Sequence, residues 1–239
     1  VLGVLIALGL GVVATAISQR SDVGDARDAL AFEIGETVGQ ARERVNFGPC
    51  IERRLDEVTA IVDAAEKSGR LPPVGKLSTA PWRTWDRGVW DSTIASQTAF
   101  HFPRAEANGL TALYRFVDLL NDSNRRELDV WSRLYSLVGP GRAFSPAEAE
   151  RTRETIIEAR TLHRFITLSG IRADQIATAY RLKVDAGEVR DYAENPVAKL
   201  AICQPIPRDA PPTYGQAPWE DIVATARAHP ITVSSGGVR

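Results

Sequence analysis

The chain has no methionine, only two cysteines and only three histidines in 239 residues, and each shortage narrows what it can be. His101, His163 and His229 are scattered, and none belongs to an H-E-x-x-H or related ligand spacing, so no metal site is expected. His163, beside Leu162 and near Phe165, reads as a structural histidine. There is no G-x-S-x-G, no S-x-x-K, no glycine loop to cradle phosphate and no dinucleotide fingerprint. Acidic residues are numerous, but no pair stands out as a desolvated acid/base couple. The expected catalytic, cofactor-binding and metal-binding sets are therefore empty, and a non-enzymatic role is the first reading. Twenty-nine Lys and Arg against thirty Asp and Glu leave a net charge of −1, which gives no global bias towards nucleic acid. The absent initiator methionine leads to the expectation that further residues precede Val1.

Charge is also absent from Val1 to Ile17 (VLGVLIALGLGVVATAI). As a helix this run spans roughly 25 Å, against about 30 Å for a bilayer core. A retained transmembrane anchor over residues 1–19 is the expectation, with membrane lipid as a partner. The alternatives are a cleaved signal peptide, for which Ala14-Thr15-Ala16 offers a small-x-small site, and a buried core helix. Gly3, Ala7 and Gly11 fall at i, i+4 and i+8, a smooth stripe for helix–helix contact in the membrane unless the spacing is incidental. After the run, Arg20 and Arg27 are outnumbered by Asp22, Asp25, Asp28, Glu33 and Glu36, which places the bulk of the chain outside the cytoplasm. Cys50 and Cys203 lean the same way, as an even pair suited to an oxidising compartment. Joined, they close a loop of about 150 residues, worth on the order of 5 kcal/mol in the chain-entropy model; otherwise they are two buried thiols.

The remaining periodicity is helical, and the expected fold class is all-α: a transmembrane helix, an antiparallel helical bundle over residues 20–194 and a Pro-rich arm over 195–239. Val23, Ala26, Leu30, Ile34, Val38, Ala41 and Val45 mark one buried stripe. Gly48-Pro49 is expected to end that helix, and Leu55, Val58, Val62 and Ala65 to form a second. Residues 74–83 read as a loop leading to a short helix around Trp85 to Phe100. Leu110, Leu113, Val117, Leu120, Asn124, Leu128, Trp131, Tyr135 and Val138 keep one phase across a polar interval, which predicts one helix of about 35 residues rather than a hairpin. Ser145-Pro146-Ala147-Glu148 has the form of a capping box with proline at the first helical position. The helix it opens is expected to reach about Asp185, with Gly170 a candidate kink. From Asn195 repeated prolines break any long element, and only Trp219 to Ala228 has the pattern of a short amphipathic helix.

Trp82, Trp85 and Trp90 gather beside Arg83 and Arg87. They read either as a stacking and cation–π site for a sugar or a partner, or as aromatics closing the end of a helical core. With Asn124, on the buried phase of its helix, and with Trp131 and Tyr135, they make up the candidate binding cluster.

Gly3-Val4-Leu5-Ile6-Ala7-Leu8, Phe47-Gly48-Pro49-Cys50, Arg83-Thr84-Trp85-Asp86 and Asn124-Arg125-Arg126-Glu127 together resemble segments of a group of proteobacterial single-pass membrane proteins. The resemblance covers much of the first 140 residues. It implies an N-terminal anchor in the bacterial inner membrane and a helical periplasmic domain, and it carries no activity and no functional residues with it. The first functional expectation is thus a membrane-tethered accessory or scaffolding subunit, partnered by another membrane protein or by copies of itself. A periplasmic small-molecule-binding or sensing bundle is the second, and an enzyme acting on the cell wall, resting on the tryptophans alone, the third.

Overall fold

The computed structural model describes residues 2–194, 200–207 and 209–210, with side chains from Val13 onward except that of Ala14. The proposed anchor stripe of Gly3, Ala7 and Gly11 lies outside the described side chains. Most of the Pro-rich arm, including Trp219 to Ala228, lies outside the described residues. The described part is all-α, with five α-helices: α1 (Leu2–Ser68), α2 (Gly88–Ala95), α3 (Arg104–Leu134), α4 (Pro146–Ala179) and α5 (Ala186–Ala193). Two two-residue strands, β1 (Arg70–Leu71) and β2 (Arg142–Ala143), pair antiparallel at one end of the bundle.

The first helix is the organising element. Its 67 residues extend about 100 Å at 1.5 Å per residue. It does not stop at Gly48-Pro49, and the two helices expected on either side are one. Pro49 lies on the exposed face, one turn after the exposed Val45. The carbonyl freed by the missing proline N–H therefore faces water, while Phe47, Cys50 and Ile51 hold the opposite side in the core. Among the described side chains the first buried one in α1 is that of Val23, and Val13 and Ile17 before it are exposed. Among the described residues no helix is long and apolar enough to cross a membrane.

Helix α3 runs parallel to α1, as shown by the pairs Arg27–Glu106, Glu33–Tyr114 and Arg44–Glu127. Its 31 residues pass through the polar interval without a break, as the preserved phase predicts, although Leu128 proves exposed. Helix α4 runs antiparallel to both. Ala41 packs on Gly170, Glu52 pairs with Arg160, and Asp63 with Arg153. The capping box forms as read: the Ser145 hydroxyl accepts from the Glu148 N–H and the Glu148 carboxylate from the Ser145 N–H. Gly170 is a close-approach point inside a continuous helix, where a Cβ would lie 3.0 Å from that of Ala41.

The helix also ends earlier than Asp185. Arg181 adopts a left-handed φ of 53°, and the chain turns so that the Asp185 N–H reaches the Ala31 carbonyl at 2.8 Å. Asp185 then caps α5 through the N–H groups of Gly187 and Glu188. That short helix crosses α1 at Gly35 and Gly39, where added Cβ atoms would meet Asp185 O at 2.8 Å and Glu188 O at 3.0 Å. The fourth side of α1 is covered by residues 72–87, an aperiodic strap that descends from a bridge between Val74 and Gly139 to the start of α2. With α3, α4, α5 and the strap around it, α1 is buried on nearly every face between Glu33 and Arg44.

Candidate functional site

A helix enclosed on all sides should be apolar all round, and α1 is not. Glu33, Thr37, Gln40, Glu43, Arg44 and Arg54 are all buried in it, and ionised groups there persist only when paired and hydrogen-bonded. Apolar residues segregate into two cores. One is built around Val38, Leu113, Val117, Tyr114 and Ile166, the other around Ile51, Leu55, Trp131, Leu137 and Leu162. The charged layer of Glu43, Arg44, Glu127 and His163 falls between them.

Within this layer Arg44 grips Glu127 in a fork, with Nη1 donating to Oε2 at 2.9 Å and Nη2 to Oε1. The same Nη2 lies 3.1 Å from His163 Nδ1. A guanidinium has only donors, so Nδ1 accepts and the imidazole is neutral, with its proton on Nε2. Burial, reinforced by the Arg44 charge, pushes the His163 pKa down to about 4. Gly48 leaves room for the ring: a Cβ there would sit 3.4 Å from His163 Cε1.

The neighbouring carboxylate of Glu43 takes two hydrogen bonds from Arg83, at 2.7 and 2.6 Å. This bonding holds the Arg83 guanidinium above its ordinary pKa. Arg83 also lies over the Tyr192 ring, 5.8 Å from its centroid, joining α1, the strap and α5. Asn124 donates to the Arg83 carbonyl at 2.8 Å and Asn121 to that of Trp85 at 2.7 Å. Glu33 accepts from the Tyr114 hydroxyl at 2.5 Å and from the N–H groups of Val89 and Trp90 at 2.7 and 3.2 Å. Desolvation and the Glu33 carboxylate raise the Tyr114 pKa. These groups set register and hold the strap.

A second polar node pins the start of the C-terminal arm. Cys50 and Cys203 form a disulfide with Cα atoms 4.8 Å apart, within the range such bonds occupy. Ile202 is buried in the core beside it. Arg54, 1% exposed, points its Nη2 at the carbonyls of Ala201, Ile202 and Gln204 and pairs with Glu57 at 3.0 Å. Burial lowers the Arg54 pKa. At Gly75 an added Cβ would fall 1.9 Å from the Pro207 carbonyl oxygen, so the segment crosses the strap in direct contact.

The structure separates the residues of the candidate binding cluster. Trp85 and Trp90 are buried in the first core, where Trp90 stacks on Tyr114 with centroids 5.3 Å apart. Trp131 and Tyr135 belong to the second core, Asn124 serves the strap, and Trp82 alone is exposed, at 55%. His101 is exposed and His229 lies outside the described residues. Among the described residues no group of three His, Cys, Asp or Glu is placed to hold a metal ion.

The buried charges escaped sequence reading because Glu33, Glu43, Arg44 and Arg54 look like an ordinary solvated face. Their one trace is that α1 carries Gly35, Gly39 and Gly48 among them, small residues where neighbours come close. Comparison with protein-family models, curated proteins and solved structures finds no match for this chain.

Proposed function

We propose that this protein is a membrane-tethered, extracytoplasmic helical scaffold, an accessory subunit that holds a partner membrane protein or a second copy of itself. One observation carries the reading: the helix that begins in the uncharged N-terminal run continues without interruption into the centre of the bundle. A flexible linker would let the domain wander, whereas a continuous helix transmits position and orientation. Support also comes from the interior, where arginine–carboxylate pairs and a disulfide are spent on rigidity, and from the separation of the tryptophans that an enzyme of the cell wall would need together. Periplasmic placement suits the Cys50–Cys203 bond.

The test is fractionation followed by mass measurement of the full chain from native membranes. The expected result is retention through an alkaline carbonate wash and, in mild detergent, a particle heavier than one 26.1 kDa chain with its detergent. Recovery in the soluble fraction, or as a lone monomer without a co-purifying protein, would overturn it.

A further inference from the structure

We infer that the end of the bundle from which α1 emerges is a lipid-contacting surface, with the turn over residues 96–103 resting on the headgroup layer and Phe100 as its apolar wedge. The inference rests on the tethering reading and adds a second point of membrane contact to it. The chain descends the bundle through α2, reverses in this turn and climbs again as α3. Gln97, at φ 63°, makes the reversal, and the turn is closed by hydrogen bonds from Gln97 N to Ile94 O and from Phe100 N to Gln97 O, at 2.9 and 3.2 Å.

Its side chains are sorted. Ala99 and Phe102 pack into the first core, and Phe102 lies under the Arg27 guanidinium, 5.6 Å from the ring centroid. Phe100 between them is held outward and is 82% exposed, with Ile94 at 46% in the last turn of α2. A phenylalanine left in water forgoes the gain of burial, and here the hydrogen-bonded turn keeps it there.

The height of the turn agrees with a bilayer surface. It packs against α1 near Val23, the first buried residue among the described side chains, and Arg27, which pairs with Glu106 at the start of α3. Six residues separate Ile17, the last of the uncharged run, from Val23, about 9 Å of helix. The polar layer on each side of a bilayer core is about 5–8 Å deep, so the turn stands at its outer edge and an outward phenylalanine side chain is what can reach into it. Exposed charges at this end are mixed, Arg20, Arg104 and Arg181 with Asp22 and Asp25, which suits zwitterionic headgroups and leaves the apolar contact to set the depth.

The experiment places a photoreactive p-benzoylphenylalanine at one site at a time in the full chain, reconstituted in phosphatidylcholine vesicles. The sites are Phe100, Ile17 as a report on the anchor, and the exposed Trp82 on the strap, some twenty residues of α1 further up the bundle. Expected are lipid adducts at 17 and 100, with the yield at 100 about tenfold that at 82. Adducts at 17 with a yield at 100 no higher than at 82 overturn the inference and leave tethering intact. Absence of adducts at 17 overturns the tethering reading and, with it, the inference.

Discussion

Acidification should loosen this bundle through a single imidazole. His163 is buried, accepts a hydrogen bond from Arg44 and has its pKa lowered from 6.5 to about 4. Between those values the unfolded chain takes up a proton that the folded chain refuses, so stability is whole above pH 6.5 and is lost as the pH falls towards 4. With the two pKa values the linkage integral gives a loss of about 1.4 kcal/mol at pH 5.5 and about 2.6 kcal/mol at pH 4.5 from this group alone. His163→Gln keeps an acceptor for Arg44 and does not titrate, so every other group's pH dependence is common to both proteins. Chemical unfolding of wild type and H163Q from pH 7.5 to 4.5 should show curves that diverge by about 2–3 kcal/mol at the acid end, the wild type falling further. Parallel curves would refute the neutral, desolvated histidine.

Two further outcomes follow from the polar nodes. Cys50→Ala with Cys203→Ala removes a cross-link spanning 153 residues and should lower the unfolding free energy by up to about 5 kcal/mol in the chain-entropy model; a loss under about 1 kcal/mol in guanidinium titrations would show that Arg54 and Ile202 hold the arm unaided. Arg44→Met leaves Glu127 buried without its fork and should cost about 3–5 kcal/mol, most of it recovered in R44M/E127L, because the penalty is the stranded carboxylate and not the missing pair. A double variant as unstable as the single one would contradict this.

What could be read from the sequence was what depends on near neighbours. The Ser145–Glu148 capping box is closed within four residues, and the phase of α3 is carried by its own apolar positions, so both are seen in the structure. The disulfide was inferable because the chain has so few cysteines. Pro49 misleads because a local stop signal takes no account of the face on which it falls. The end of α4 misleads because its turn is closed at a non-glycine residue, Arg181, through the Arg181 and Leu182 N–H groups on the Thr178 and Ala177 carbonyls, and the chain beyond it is held by the bond from Asp185 N–H to Ala31, some 150 residues away. The charged layer was invisible because a buried arginine and a solvated one are the same letter; only the neighbours supplied by residues 83–204 distinguish them.

The helix made first is thus the one completed last. Glu33, Glu43, Arg44 and Arg54 of α1 find their partners in Tyr114, Arg83, Glu127 and the carbonyls of 201–204. Until those segments have been synthesised, an unsheltered α1 keeps its charges in water and its apolar stripe without cover. Truncations that stop short of the second cysteine therefore leave the central helix whole in sequence and strip it of partners, the Arg54 guanidinium and the Cys50 sulfur first among them.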